Sequence, residues 1–223
     1  MSGDIVFENV TIKYAPHLDD ALSSISFTIK GGSKTAVIGR TGSESGRIMV
    51  DNVDLAEVDK QLLRTRLTFL AQDPVLFPGT MRQNLDPVNE HSDDACALVL
   101  KRVCERQGWD LTTKVAAGGS NLSQGQPQLV GLARAVLRQS AIIILDEATA
   151  SIDRETAMQI QQVMHEEMKD STVITIAHRL EAVRNADYCI VLGKGRILEQ
   201  GPASEMLNAH REDMVDGSGS ENA

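Results

Sequence analysis

Ile142-Ile143-Ile144-Leu145-Asp146-Glu147 is a run of four apolar residues closed by two adjacent carboxylates. With Ala141 before it, the run lacks the polar alternation of a half-exposed strand and reads as a strand buried on both faces. Such a strand releases charged side chains only at the edge of its sheet, so Asp146 and Glu147 mark that edge. Downstream, the spacing predicts a helix from about Arg154 to Lys169, a strand at Thr172 to Ile176 and another at Tyr188 to Leu192. Strand and helix in alternation imply a parallel sheet flanked by helices, an α/β fold whose ligands lie beyond the carboxyl ends of its strands.

Upstream, Leu122-Ser123-Gln124-Gly125-Gln126 opens a helix. Ser123 with Gln126 three residues on makes a capping box, and Leu129, Leu132, Ala133, Val136 and Leu137 form the apolar stripe behind it. The N–H groups and the Ser123 hydroxyl at that start suit an anion; without one they are an ordinary cap. An earlier helix begins at Ser92, with Asp93 and Asp94 in its first turn and Cys96, Val99, Leu100 and Val103 on one face. The first fifty residues differ. Ile5 to Ile12 is apolar and β-branched, and Ile25, Phe27 and Ile29 alternate with polar neighbours. Lys34 to Ile38 is a short apolar strand, and Ile48 and Val50 alternate again before a turn at Asp51-Asn52. A β-rich half therefore precedes a helical one, and a short helix follows Gly201.

A chain of 223 residues can bury its own core without disulfide or metal staples. Cys96, Cys104 and Cys189 make no CxxC pair, and three thiols cannot all pair with one another, so buried thiols in a reducing compartment are expected. The longest apolar run, Ala141 to Leu145, falls far short of the ~18 residues of a membrane span, and Met1-Ser2-Gly3-Asp4 begins no secretory signal. A net charge of −9, from 22 basic and 31 acidic side chains, opposes general nucleic-acid binding, whose affinity comes from lysine and arginine. The domain is expected over residues 1–209, with residues 210–223 a polar, disordered tail.

Two carboxylates at a strand end have a plain use, as the acidic cap of the next helix, and a chemical one. In a nucleotide hydrolase the first holds Mg²⁺ and the second orients or deprotonates the attacking water. Order decides between them: a helix-opening Ser-Gln-Gly-Gln turn, then, a short helix later, the acidic strand. In these residues the chain resembles the ATP-binding domains of ABC transporters, from about Ile5 to Leu207. Asn121 to Gln126 resembles their signature, usually LSGGQ, and Ile142 to Glu147 their Walker B strand with its catalytic glutamate. Ala150-Ser151-Ile152-Asp153 is similar to the D-loop, Gln72 to the Q-loop glutamine, His178 to the switch histidine and Tyr14 to the aromatic residue that stacks on adenine. Gln72 to Phe77, Asn84-Leu85-Asp86-Pro87 and Gly118 to Asn121 are similar to the second such domain of the C-subfamily, multidrug-resistance-associated exporters.

One motif breaks off. The P-loop pattern G-x-x-x-x-G-K-[ST] begins correctly at Gly39-Arg40-Thr41-Gly42-Ser43, but Glu44, Ser45 and Gly46 follow where glycine, lysine and a hydroxyl residue belong. No lysine is offered to the phosphates, and Glu44 puts an anion where they would sit. The eight residues Gly39 to Gly46 are also too few for a crossover with a helix, which needs a dozen or more. The P-loop helix is therefore expected to be absent, as though one internal piece had been removed by a skipped exon, a misdrawn splice junction or a deletion.

The resemblance implies a P-loop NTPase fold of ABC type: a parallel-sheet core, an antiparallel β-subdomain and a helical subdomain. It implies ATP and Mg²⁺ as cofactors and ATP hydrolysis driving export. Tyr14 would stack adenine, Gly39, Arg40, Thr41, Gly42 and Ser43 would hold phosphate, and Gln72 and Asp146 would manage Mg²⁺. Glu147 would be the general base and His178 would position the γ-phosphate, with Ser123 expected near the same triphosphate. Its partners would be membrane-spanning transporter domains at the cytoplasmic face and a second ATP-binding domain in a head-to-tail dimer, where Ser123, Gly125 and Gln126 serve the other domain's site; as an isolated chain it would be soluble in the cytoplasm. The broken P-loop adds two alternatives: an impaired partner that only supplies its signature, or a truncated product without activity.

Overall fold

The computed structural model describes residues 3–13, 17, 20–38, 45–71, 74–146, 154–177 and 186–207. The first half runs β1 (Ile5–Ile12), β2 (Leu22–Ile29), β3 (Lys34–Ile38), β4 (Ser45–Val50), β5 (Val53–Asp54), α1 (Lys60–Arg66), β6 (Leu67–Leu70), β7 (Gly79–Thr80), α2 (Met81–Leu85) and α3 (Asp93–Cys104). Then follow β8 (Lys114–Val115), α4 (Gln126–Arg138), β9 (Ile142–Asp146), α5 (Arg154–Glu167), β10 (Thr172–Ala177), β11 (Tyr188–Gly193) and β12 (Arg196–Pro202). Residues 203–207 are helical. The chain divides into two compact units, one of residues 1–60 with 172–223, the other of residues 61–171.

In the first unit β1 pairs antiparallel with both β2 and β4, and β4 with β5. This sheet has one apolar face. Val10, Ile12, Leu22 and Ile25 are buried together, and Phe7 lies opposite Phe27 with the rings stacked 4.2 Å apart. Asp51 and Asn52, at φ 48° and 66°, make the two-residue turn from β4 to β5 that their side chains tolerate. β10 and β11 both run parallel to β3, and β12 returns antiparallel to β11. A second core of Ala36, Cys189, Ala203 and Met206 packs residues 203–207 against β3 and β11.

β4 begins at Ser45, two residues before the start that the alternation suggests, so six residues separate it from the end of β3. Gly46 permits this. It sits at φ 104°, where a Cβ would lie 2.5 Å from Val10 Cα, so only glycine lets β4 pair this closely beside the register shift between Glu8 and Thr11.

In the second unit β6 and β9 pair in parallel, Leu67 opposite Ile142 and Leu70 opposite Leu145. α4 covers one face of them. A Cβ on Gly131 would lie 2.4 Å from Leu70 Cδ1, and Ser140, just past the helix, shares a hydrogen bond with the Thr68 hydroxyl. The middle of α4 thus sits at the end of β6, and the end of α4 sits near the start of β6. The helix runs antiparallel to the strands, and its first residues project about 7 Å past their carboxyl edge at 1.5 Å per residue. The face of β6 turned away from α4 is open, with Phe69, opposite Ile144, 54% exposed. α3 packs on α4 as its stripe predicts: Cys96, Val99, Leu100 and Val103 are buried, and the Ser92 hydroxyl caps it by accepting from the Ala95 N–H at 3.2 Å. All three cysteines are buried free thiols.

Candidate functional site

Residues 116–126 lead into α4 through tight turns. Gly119 takes φ 72° under Leu76, where a Cβ would lie 2.7 Å from Leu76 Cδ1. Asn121 braces the loop, accepting from the Ala116 N–H at 2.8 Å and donating to the Lys114 carbonyl at 2.9 Å. Ser123 is not the cap of α4; Gly125 is. The reason is Pro127. A helix starting at Ser123 needs the residue-127 N–H as its first bond to the Ser123 carbonyl, and proline has none. Instead the Gln126 N–H closes a turn onto that carbonyl at 3.1 Å, while the Ser123 N–H donates to Gln126 Oε1 at 2.8 Å. Half of the expected capping box is therefore formed, one turn ahead of the helix, with Ser123 and Gln124 exposed. Among the described residues the N–H groups of Gln124 and Gly125 meet no acceptor. With the Ser123 hydroxyl they stand at the positive end of the α4 dipole, an arrangement suited to an anion.

The segment Pro74 to Phe77, just after Gln72, is tied to three neighbours. Asn84, fully buried on α2, accepts from the Phe77 N–H at 2.9 Å and donates to the carbonyls of Phe77 (2.9 Å) and Thr80 (3.1 Å). Arg134 on α4 donates from Nε to the Asn84 carbonyl at 2.7 Å and from Nη1 to the Val75 carbonyl at 2.9 Å. The Leu76 carbonyl accepts from the Gly118 N–H at 3.2 Å. Burial, with the nearby Arg138, pushes the pKa of Arg134 down. The side chains of Val75 and Phe77 stay exposed, at 67% and 51%.

Asp146 closes β9 half-buried, one residue beyond the Leu145–Leu70 pair, so the acid expected to bind the metal stands at the strand end. A carboxylate there is a hard oxygen donor of the kind that Mg²⁺ shares with phosphates. In the first unit Ile38 pairs with Ala177, so Gly39 and His178 each follow one of two adjacent strand ends in sequence. Tyr14, Gly39, Arg40, Thr41, Gly42, Ser43, Gln72, Glu147 and His178 themselves lie outside the described residues, as do Ala150 to Asp153. Of the expected site residues, the structure gathers Ser123, Gly125 and Gln126 into one turn and sets Asp146 at a strand edge.

The ABC transporter family model matches residues 22–150. The chain belongs to the ABC transporter family. It is 42% identical to ATP-binding cassette sub-family C member 2 of Rattus norvegicus over 226 aligned positions, which cover 92% of this chain and 15% of that protein. To the ATP-dependent bile acid permease of Saccharomyces cerevisiae it is 38% identical, again over 92% of this chain and 15% of the relative. Among solved structures it is similar to a bacterial Atm1-family ABC exporter with ATP bound, with a TM-score of 0.85 and 28% identity over all of this chain and 43% of that one. The chain spans about 15% of the length of the curated relatives it matches. The parallel pairs β10–β3, β11–β3 and β6–β9, with the separate antiparallel sheet, are those of an ABC-type P-loop NTPase. The 226 positions shared with the rat relative take in roughly 205 residues of this chain, so about 20 of them have no residue of this ABC domain opposite.

Two features of this ABC domain escape the sequence reading. The Asn84–Arg134 clasp is one; its signal is a lone arginine inside the otherwise apolar Leu132-Ala133-Arg134-Ala135-Val136. The other is the capping box of Thr80 and Gln83 that starts α2. No helix among the described residues is long and apolar enough to cross a membrane.

Proposed function

We propose that the chain works as an ATP-binding half of a C-subfamily-type exporter, on the cytoplasmic face of the membrane, and that its share in the ATP cycle is the signature side. Ser123, Gly125 and Gln126 would face a triphosphate held by the P-loop of a second, intact ATP-binding domain in a head-to-tail dimer. Membrane-spanning domains would supply the path for the exported substrate. The observation that carries this reading is a contrast. The turn before α4 is ordered, with Ser123 and Gln124 exposed and the N–H groups of Gln124 and Gly125 meeting no acceptor among the described residues. The connection from β3 to β4 is six residues, contains no lysine and carries Glu44.

On this reading the chain's own site is weak. Tyr14 would stack adenine and Gly39 to Ser43 would meet the phosphates; Gln72 and Asp146 would hold Mg²⁺, which supplies charge neutralisation to the phosphates when bound. Glu147 would act as general base and His178 would position the γ-phosphate. Losing the lysine alone removes a charge-assisted bond worth roughly 1.5–3 kcal/mol, or about ten- to a hundredfold in affinity. The test is a titration with Mg²⁺ and ATP, with turnover measured for the chain alone and mixed with an intact sub-family C domain. Little binding and no turnover alone, with faster turnover in the mixture, is expected. Full turnover by the chain alone would overturn the weak-site reading, and an inert mixture would overturn the signature role.

A further inference from the structure

We propose that Arg134 is a positioning residue for the signature turn, one that makes the segment after Gln72 and the helix behind Ser123 move as a single body. The inference rests on the reading above, that Ser123 serves a nucleotide site. Its ground is the closed set of bonds around Pro74 to Phe77. From one side Arg134 reaches out of the α4 stripe and holds the Val75 and Asn84 carbonyls at 2.9 and 2.7 Å. From the other the Leu76 carbonyl takes the Gly118 N–H, and the Leu76 side chain, 4% exposed, lies against Gly119. Asn84 fixes Phe77 through both its N–H and its carbonyl. The segment is thus bonded to the loop that precedes the signature and to the helix that follows it, and Arg134 alone among these side chains belongs to the signature helix itself.

Arg134 is a poor choice for packing alone. Its Nη2 is buried with no partner among the described residues, an expense that an apolar residue of like length avoids. A purely structural role predicts that Arg134→Met, which strips the Val75 and Asn84 carbonyls of their donor, loses stability but leaves kcat in the mixture unchanged. A positioning role predicts an intact fold with a misplaced turn.

The 223-residue chain and its Arg134→Met and Arg134→Lys variants would each be mixed with an intact sub-family C ATP-binding domain, and ATPase rates followed against ATP concentration. Amide hydrogen exchange of each variant alone would report the turn directly. The expected result is a kcat in the mixture lowered roughly tenfold by Arg134→Met, the loss of about one charge-assisted bond, with KM for ATP within twofold and partial recovery in Arg134→Lys. Exchange should quicken at Phe77, Gly118 and Ser123 together. Unchanged kcat in Arg134→Met, or faster exchange at Phe77 with Ser123 unmoved, would overturn the proposal while leaving the signature reading standing. If the unsubstituted chain fails to stimulate the partner, the signature reading itself falls, and this inference with it. Should Arg134→Met fail to unfold cooperatively, Arg134→Lys decides: equal loss of kcat and of exchange protection supports positioning, and wild-type values in both refute it.

Discussion

Replacing Asn84 by alanine should weaken residues 61–171 by about 2–3 kcal/mol. The amide is fully buried and makes three bonds: one accepted from the Phe77 N–H and two donated, to the Phe77 and Thr80 carbonyls. Each is worth about 1 kcal/mol net, and the partly exposed Phe77 backbone can recover some of its share from water. Against a typical margin of 5–15 kcal/mol this is a large loss, equivalent to about 4–12 °C in Tm for a domain of this size. Trp109, the chain's single tryptophan, lies in this unit, so its fluorescence in a urea titration reports the unfolding that matters. The Asn84→Asp variant sharpens the test. It keeps the acceptor for Phe77 but turns a second carboxylate oxygen toward two carbonyls, so at pH 7 it should be less stable than Asn84→Ala. Burial and those carbonyls favour its neutral form, so its folded pKa is raised, and its stability should rise as the pH falls through that value. A midpoint shift worth less than 1 kcal/mol in Asn84→Ala, or an Asn84→Asp variant that stays as stable as the parent at pH 7, would refute the reasoning.

Acid should loosen the same unit through Asp86. Burial works to raise its pKa, but the N–H groups of His91 (2.8 Å) and Glu90 (3.1 Å), with the charges of His91 and Arg82, hold it below the ordinary 3.8. Its stabilisation is therefore complete above pH 3.8 and is lost as the pH falls from there through the folded value, so Asp86→Asn should flatten the acid limb of the Trp109 unfolding curve. Burial pushes the Cys104 thiol up to about 12, burial and Glu199 push Cys189 up to about 11, and burial raises Cys96 as well. Iodoacetamide at pH 8 should then label none of the three in the native chain and all three in urea, as mass spectrometry would count. Gly46→Ala should cost about 1–3 kcal/mol in a circular dichroism melt, because its Cβ would strike Val10 backbone atoms that cannot rotate away.

Periodicity reaches as far as burial does. The buried strand at Ile142, the stripe of α3 and the alternation around Phe27 were legible because each is an apolar pattern facing one core. What escaped were elements held by polar bonds instead. α2 is five residues long, too short for any stripe, and is held by the Thr80–Gln83 box and by Asn84. β7 and β8 are two-residue strands fixed by one another. The start of α4 was misplaced for a different reason: Ser-x-x-Gln reads as a capping box, but the proline at 127 removes the N–H that would confirm it. Asp146 was legible because a charge at the end of an apolar run has one place to go. Arg134 was not, because a lone arginine in a buried stripe reveals that it has partners but not which.

The strands β3 and β4 belong to one compact unit and the turn before α4 to the other, and this bears on how a change at each is felt. The six residues between β3 and β4 belong to the first unit, whereas the bonds of Asn84, Arg134, Asn121 and Gln126 all close within residues 75–134 of the second. Sites that share no partner contribute nearly independently. Inserting a lysine-bearing P-loop segment between Ser43 and Glu44, about 20 residues long to match the number of unmatched positions in the rat relative, should therefore raise ATP affinity by at least the ten- to hundredfold that one lysine is worth while leaving the urea midpoint of Trp109 in place. Asn84→Ala should do the reverse, moving the Trp109 midpoint and leaving the affinity of the chain's own site unchanged. Titration calorimetry and fluorescence on the same four proteins, the parent, each change alone and both together, would measure this. A Trp109 midpoint that moves with the insertion would show that the inserted segment supports the second unit as well, and would refute this independence.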